Sequence, residues 1–205
     1  MNTLADFEVV LAAAGLSRRM GAVNKLLLRI DDEPLIRKAA RLYSSLGMRV
    51  IVVTGHEADK TESALDGVPV TTVFNPHYME GQRTSIQVGL QHASLDRKGL
   101  VIALADQPEL TSQDISALCN AHQTSRADKI LVPYFKGQRG NPIVFPCSIA
   151  RRLMHSGQIP GCRRFIDENP ALVRRFKAPN HHFTSDIDCP ADLGRLQSTN
   201  LIIKE

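Results

Sequence analysis

The chain has 205 residues, 43% of them hydrophobic, enough to bury one substantial core and to predict a single domain. Its 25 Lys and Arg against 21 Asp and Glu leave a net charge of +4, and the doublets Arg151-Arg152, Arg163-Arg164 and Arg174-Arg175 suit solvated helix faces; anionic small molecules fit this balance better than nucleic acid. Cys119, Cys147, Cys162 and Cys189 are widely spaced with no Cys-x-x-Cys pair, and no run approaches the ~20 apolar residues of a membrane span, so the expectation is a cytoplasmic protein with reduced thiols and no membrane partner.

In chain order, an apolar run predicts a first strand at 9–11, followed by a loop of small residues and cations at 12–25. Leu35, Ile36, Ala39, Ala40, Leu42, Tyr43 and Leu46 then repeat at helical spacing and stop at Gly47. Strands follow at 50–53 and 70–73, a helix at 84–92, and a strand at 100–104. A helix at 112–123 has Thr111 as its candidate N-cap and Asp114 in its first turn. Strands at 130–132, 143–145 and 173–176 alternate with helices at 148–155 and 190–197. Such alternation predicts an α/β fold: a three-layer α/β/α sandwich with a mostly parallel, Rossmann-like sheet. Ligands in such sheets lie beyond the C-terminal ends of strands, so chemistry is expected in the loops after Leu11 and Leu104. The less regular segment 137–175 is assigned as a lid or acceptor-binding part.

Residues 12–25 read Ala-Ala-Ala-Gly-Leu-Ser-Arg-Arg-Met-Gly-Ala-Val-Asn-Lys. Small residues let backbone N–H groups approach phosphates, while Arg19 and Lys25 bring the neutralising charge, as a nucleoside triphosphate requires. A dinucleotide loop would need Gly-x-Gly-x-x-Gly, yet Ser17 stands at the second glycine. A P-loop would need Gly-Lys-Ser/Thr, yet Gly21 precedes Ala22. After the strand at 100–104, Asp106 is a natural Mg²⁺ ligand, because this ion favours one or two carboxylates together with substrate phosphates; an aspartate opening the turn before Pro108 is the alternative. The segment 185–193 alternates like a short strand that places Asp186 and Asp188 on one face before a helix begins at Pro190; both aspartates acting only as caps is the alternative. His181-His182 read as loop residues, and Gly-Leu-Ser-Arg-Arg lacks the Gly-x-Ser-x-Gly elbow of a serine hydrolase.

The run Ala-Gly-x-Ser-x-Arg-Met-Gly followed by a lysine resembles the signature of nucleotidyltransferases of the molybdenum cofactor cytidylyltransferase branch, the MobA-like enzymes, with Ala12 where the family has leucine. Three further segments match it in order. The segment 75–86 resembles the family's Asn-(x)5-Gly-(x)3-Ser-Leu pattern, which implies that Ser85 contacts the base or ribose, although alone it would read as a helix cap. Gly140-Asn141-Pro142 resembles the family's acceptor side, with ordinary turn punctuation as the alternative; the stretch 157–166 departs from the pattern at Ile159-Pro160. Asp186-Ile187-Asp188 resembles its second metal motif, with Cys189 and Ala191 replacing Thr and Glu.

The resemblance implies a nucleotide-diphospho-sugar-transferase-type fold over residues 1–205, with a nucleotide-binding part at about 7–110 and an acceptor and second-ligand part at about 130–197. It implies nucleotide contacts from Ala13, Ala14, Gly15, Ser17, Arg19, Lys25, Ser85 and Asp106, Mg²⁺ held by Asp106 and Asp188, catalysis by Arg19, Lys25 and Asp106, and acceptor contacts from Gly140, Asn141, Pro142 and Asp186. The implied reaction transfers CMP from CTP to a phosphorylated pterin-type acceptor, serving a client molybdoenzyme. GTP as donor, another phosphorylated acceptor, and a non-catalytic delivery protein are the alternatives.

Overall fold

The apolar run near the start of the chain forms β1 (Phe7–Ala12), five of whose six residues are buried, as a central strand covered on both faces requires. The computed structural model describes residues 4–21, 23–124, 128–155, 161–197 and 203–204. Along the first half come β2 (Arg29–Ile30), β3 (Glu33–Pro34), α1 (Leu35–Ser44), β4 (Arg49–Thr54), α2 (Ala58–Ser63), β5 (Thr71–Phe74), α3 (Gln82–His92) and β6 (Gly99–Leu104). The second half adds α4 (Ser112–Thr124), β7 (Ile130–Phe135), β8 (Gln138–Arg139), β9 (Ile143–Phe145), α5 (Cys147–His155), α6 (Cys162–Glu168), β10 (Val173–Lys177), α7 (Pro190–Gln197) and β11 (Ile203–Lys204).

The main sheet runs β10-β7-β9-β6-β1-β4-β5, with β8 paired to β7, and a small sheet joins β11, β2 and β3. β1, β4, β5 and β6 are parallel, as are β7 and β10, whereas β9 runs antiparallel between β6 and β7. The predicted mostly parallel sheet is therefore present, with one reversed strand inside it.

Because successive strand residues point to opposite faces, Val9, Leu11, Val50, Val52, Val101 and Ala103 join Leu35 and Ile36 of α1 and Ile115 and Leu118 of α4 in one core. Val10, Ile51, Val53, Leu100 and Ile102 join Ile86 and Leu90 of α3 and Ile149 and Ala150 of α5 in the other. These two cores make the three layers, and each fully buried aliphatic side chain contributes roughly 1.5–3 kcal/mol. The α4 cap is reciprocal: the Asp114 backbone N–H donates to Thr111 Oγ1 at 3.2 Å, and the Asp114 carboxylate accepts from the Thr111 N–H at 3.0 Å and its hydroxyl at 2.7 Å.

One expected element is absent. Residues 185–189 form an extended loop rather than a strand, because they find no partner strand; the Ile187 N–H donates instead to the Asp106 carbonyl at 2.9 Å. The first part of the 157–166 motif, through Pro160, lies outside the described residues. No described helix is long and apolar enough to cross a membrane.

Candidate active site

β1 and β6 pair in register, so Ala12 lies opposite Leu104 and the loops that follow them leave the sheet side by side. Between them lies a cleft of about 360 Å³. Ala13, Ala14, Gly15, Ser17, Arg19, Lys25, Ser85, Asp106 and Asp188 all line it, so the structure brings together the residues expected to serve nucleotide and metal.

The first loop is strapped to the end of β4, where the Ala13 N–H donates to the Val53 carbonyl at 2.9 Å and the His56 N–H to the Ala14 carbonyl at 3.4 Å. Ser17 adopts a left-handed conformation (φ 50°) that opens a turn over Arg18–Met20, and its hydroxyl accepts from the Lys25 backbone N–H at 3.3 Å. A Cβ at Gly15 would meet no protein atom, so packing does not account for glycine there.

Charge is concentrated at the floor. Lys25 Nζ donates to Asp106 Oδ2 at 2.6 Å, to the Ile187 carbonyl at 2.5 Å and to Asp188 Oδ1 at 3.4 Å. Arg19 reaches Asp188 Oδ2 at 2.9 Å. The Lys25 and Asp106 side chains are only 13% and 17% exposed, whereas Arg19 is 70% exposed and reaches in from the surface. Asp106 Oδ1 is buried and has no hydrogen-bond partner, an arrangement that costs free energy unless something else engages that oxygen. Two carboxylates, one with an unengaged buried oxygen, suit Mg²⁺ or Mn²⁺, which complete their shells with phosphate and water. Among the described residues no group of three or more His, Cys, Asp or Glu could hold a metal, so the protein would supply only a few of the ion's ligands.

Asp186 sits exposed at the edge of this floor, where partial burial and then the carboxylates of Asp106 and Asp188 push its pKa up. The loop is held by Asp192, whose Oδ2 accepts from the N–H groups of Asp188 and Cys189, both at 2.8 Å. Burial opposes ionisation of Asp192, but these bonds prevail and hold its pKa at about 2.

Ser85 is not a helix cap. α3 begins at Gln82 after Gly81 (φ 101°), which places Ser85 inside the helix; its hydroxyl accepts from Asn75 Nδ2 at 3.1 Å while the same amide donates to Thr84 Oγ1 at 2.9 Å. Sequence reasoning passed over Gly55, Tyr78, Met79 and Gln82. The last three line the cleft and fall within the segment 75–86 already singled out. A Cβ at Gly55 would lie 2.6 Å from Tyr78 Cβ and 2.7 Å from Ala14 Cβ, so only glycine lets these two residues close over the end of β4.

A second cavity of about 660 Å³ adjoins the first, sharing Gln82 and Leu104, and is bordered by Tyr134, Arg139, Gly140, Asn141 and Arg163. Pro142, expected on the acceptor side, does not line it; the proline is buried immediately before β9, after a cis Asn141-Pro142 bond. Gly140 is required by close approach, since a Cβ would run into the Phe183 backbone. The Arg139 guanidinium forks onto Asp167 at 3.1 and 3.3 Å, joining the β8 hairpin to α6. His182 Nδ1 lies 2.8 Å from Asp114 and His181 Nε2 3.3 Å from Glu109, so both histidines hold the 181–188 loop against α4 and its preceding turn. Burial pushes the Cys119 and Cys162 thiols up to about 12, out of nucleophilic range.

A Rossmann-like sheet with a small-residue loop and a carboxylate floor at its C-terminal edge is the architecture of proteins that handle nucleotide phosphates. Residues 9–174 match the MobA-like NTP transferase domain, and the chain belongs to that family. Over 194 residues it is 26% identical to the nicotine blue oxidoreductase of Paenarthrobacter nicotinovorans, covering 91% of this chain and 94% of that one. It is 28% identical over 185 residues to a molybdenum cofactor guanylyltransferase of Aliivibrio salmonicida (88% and 86% covered), and 31% identical over 175 residues to the purine catabolism protein PucB of Bacillus subtilis (73% and 81%). Among solved structures, a nucleotidyl transferase from Methanothermobacter superposes with a TM-score of 0.77 at 23% identity, covering 94% of this chain and 96% of that one. A manganese complex of Rv0371C from Mycobacterium tuberculosis superposes at 0.73 and 22% identity, covering 94% and 97%.

Proposed function

We propose that this protein is a divalent-metal-dependent cytidylyltransferase that transfers CMP from CTP to the terminal phosphate of a molybdopterin-type cofactor and releases pyrophosphate. The observation that carries the proposal is the floor of the cleft, where Lys25 lies between Asp106 and Asp188 beneath a small-residue loop. Family membership and the manganese complex of a structural neighbour support the metal-dependent nucleotidyltransferase part of this reading, and a relative named as a molybdenum cofactor guanylyltransferase supports its acceptor.

Asp106 and Asp188 would hold the metal, which when bound supplies neutralisation of the triphosphate and polarisation of the α-phosphoryl group. The loop backbone from Ala13 to Ser17 orients the phosphates by its N–H groups. Lys25 and Arg19 stabilise the charge gathered on the departing pyrophosphate, in a cleft partly shielded from water. The second cavity, with Gly140 and Asn141 on its wall, holds the acceptor in line with the α-phosphorus. The acceptor phosphate, with a second pKa of about 6, is largely ionised at neutral pH and needs no general base.

Because one relative bears the name of an oxidoreductase, the decisive readout is pyrophosphate, which a redox reaction does not release. The purified protein is mixed with Mg²⁺, a phosphorylated pterin acceptor and each of the four nucleoside triphosphates in turn. Acceptor-dependent pyrophosphate release, fastest with CTP, is expected; GTP as the preferred donor overturns the cytidylyl assignment, and no release with any donor overturns the transferase assignment.

A further inference from the structure

The cation that closes the carboxylate floor belongs to the chain itself. Lys25 Nζ donates to Asp106 Oδ2 and Asp188 Oδ1, one oxygen of each carboxylate that would hold a divalent ion, and takes the Ile187 carbonyl as well. Arg19 covers the other oxygen of Asp188. Even with Asp106 Oδ1 free, an ammonium and a divalent ion cannot share these two carboxylates without strong repulsion at such short range. At Lys25 the side chain has to leave but the backbone does not. Its backbone is pinned by the Ser17 hydroxyl at 3.3 Å and by the Asn24 cap, whose Oδ1 accepts from the Leu26 N–H at 3.1 Å. The four-carbon stem is flexible, and a triphosphate beside the loop offers it a denser anion than two carboxylates.

We propose that Lys25 is a resident counter-ion that makes divalent-metal binding conditional on the triphosphate: the nucleotide draws Lys25 and Arg19 off Asp106 and Asp188, and the freed carboxylates then accept the metal. This rests on the nucleotidyltransferase reading of the cleft, but its test does not depend on turnover. Coupling is reciprocal, so the metal tightens the nucleotide by the same factor that the nucleotide tightens the metal.

The experiment measures Mn²⁺ binding to the full chain by the electron paramagnetic resonance signal of free Mn²⁺, without nucleotide and with saturating CTP, without acceptor, and with the Mn²⁺ bound by CTP in protein-free solution subtracted. In the wild type, CTP should tighten Mn²⁺ roughly 5–150-fold, the usual range of coupling between sites. Lys25→Met, and Lys25→Gln as a second uncharged variant, should bind Mn²⁺ alone roughly tenfold or more tightly than the wild type and should gain less from CTP. Adding Asp106→Asn to either should abolish the gain. Unfolding curves establish that each variant is folded. Unchanged Mn²⁺ affinity in a folded Lys25 variant overturns the proposal even if pyrophosphate is released. Tightened Mn²⁺ binding without pyrophosphate release sustains the counter-ion and overturns the transferase reading instead.

Discussion

Asp106→Asn separates the chemistry of the cleft from the fold that carries it. The change keeps side-chain volume and one oxygen toward Lys25, and Lys25 retains the Ile187 carbonyl and Asp188, so no buried ammonium is stranded. The lost attraction to Lys25 is offset by relief of repulsion among Asp106, Asp186 and Asp188, the same repulsion that helps raise the Asp186 pKa. The net stability change should be about 1 kcal/mol or less. Turnover should fall by roughly 10²–10³-fold or more, because a preorganised charge in a sheltered site is worth about 3–4 kcal/mol in the transition state. Thermal unfolding and acceptor-dependent pyrophosphate release, run on the same preparation at saturating Mg²⁺, read the two effects separately. Near-wild-type turnover would remove Asp106 from the metal site. A stability loss beyond about 3 kcal/mol would show instead that the pair with Lys25 holds the fold.

Gly140→Ala should lower stability by about 1–3 kcal/mol, because the new methyl meets the Phe183 backbone, which cannot rotate away; an unchanged unfolding midpoint would contradict the close approach. Asp192, held at about 2 against about 3.9 in an unfolded chain, binds fewer protons when folded, so its stabilisation is complete above pH ~4 and is lost as the pH falls toward 2. Asp192→Asn should therefore flatten the acid limb of the unfolding midpoint between pH 2 and 5; a wild-type slope in the variant would refute the assignment. Ala14→Gly removes a 3% exposed methyl that packs against Gly55 at the wall of the cleft. The ratio of kcat/KM for CTP over GTP should fall, by no more than the ~1–3 kcal/mol a methyl-sized difference provides, and an unchanged ratio would show that Ala14 does not set donor choice.

The layered fold was legible because its evidence is local: runs of β-branched residues and a 3.6-residue stripe are properties of neighbours in the chain. Leu35, Ile36, Ala39, Ala40 and Tyr43 are all buried, as their spacing requires. Elements without room for a period escaped, among them the six-residue α2 and the two-residue strands. The 185–189 segment misled for the converse reason, since apolar–polar alternation describes any extended chain and only a neighbouring strand makes it part of a sheet.

For the cleft, residue types were legible but their pairing was not. Lys25 reads as a phosphate ligand from the loop that contains it, yet its partners Asp106 and Asp188 lie 81 and 163 residues further on. Gly55 offers no motif, and its role follows only from Tyr78 and Ala14 arriving on either side. A loop rich in small residues thus advertises the ligand it suits, while the partners of its lysine are set by contacts between distant segments. Lys25 belongs to both descriptions, and its transfer from carboxylate to phosphate is the step that joins them.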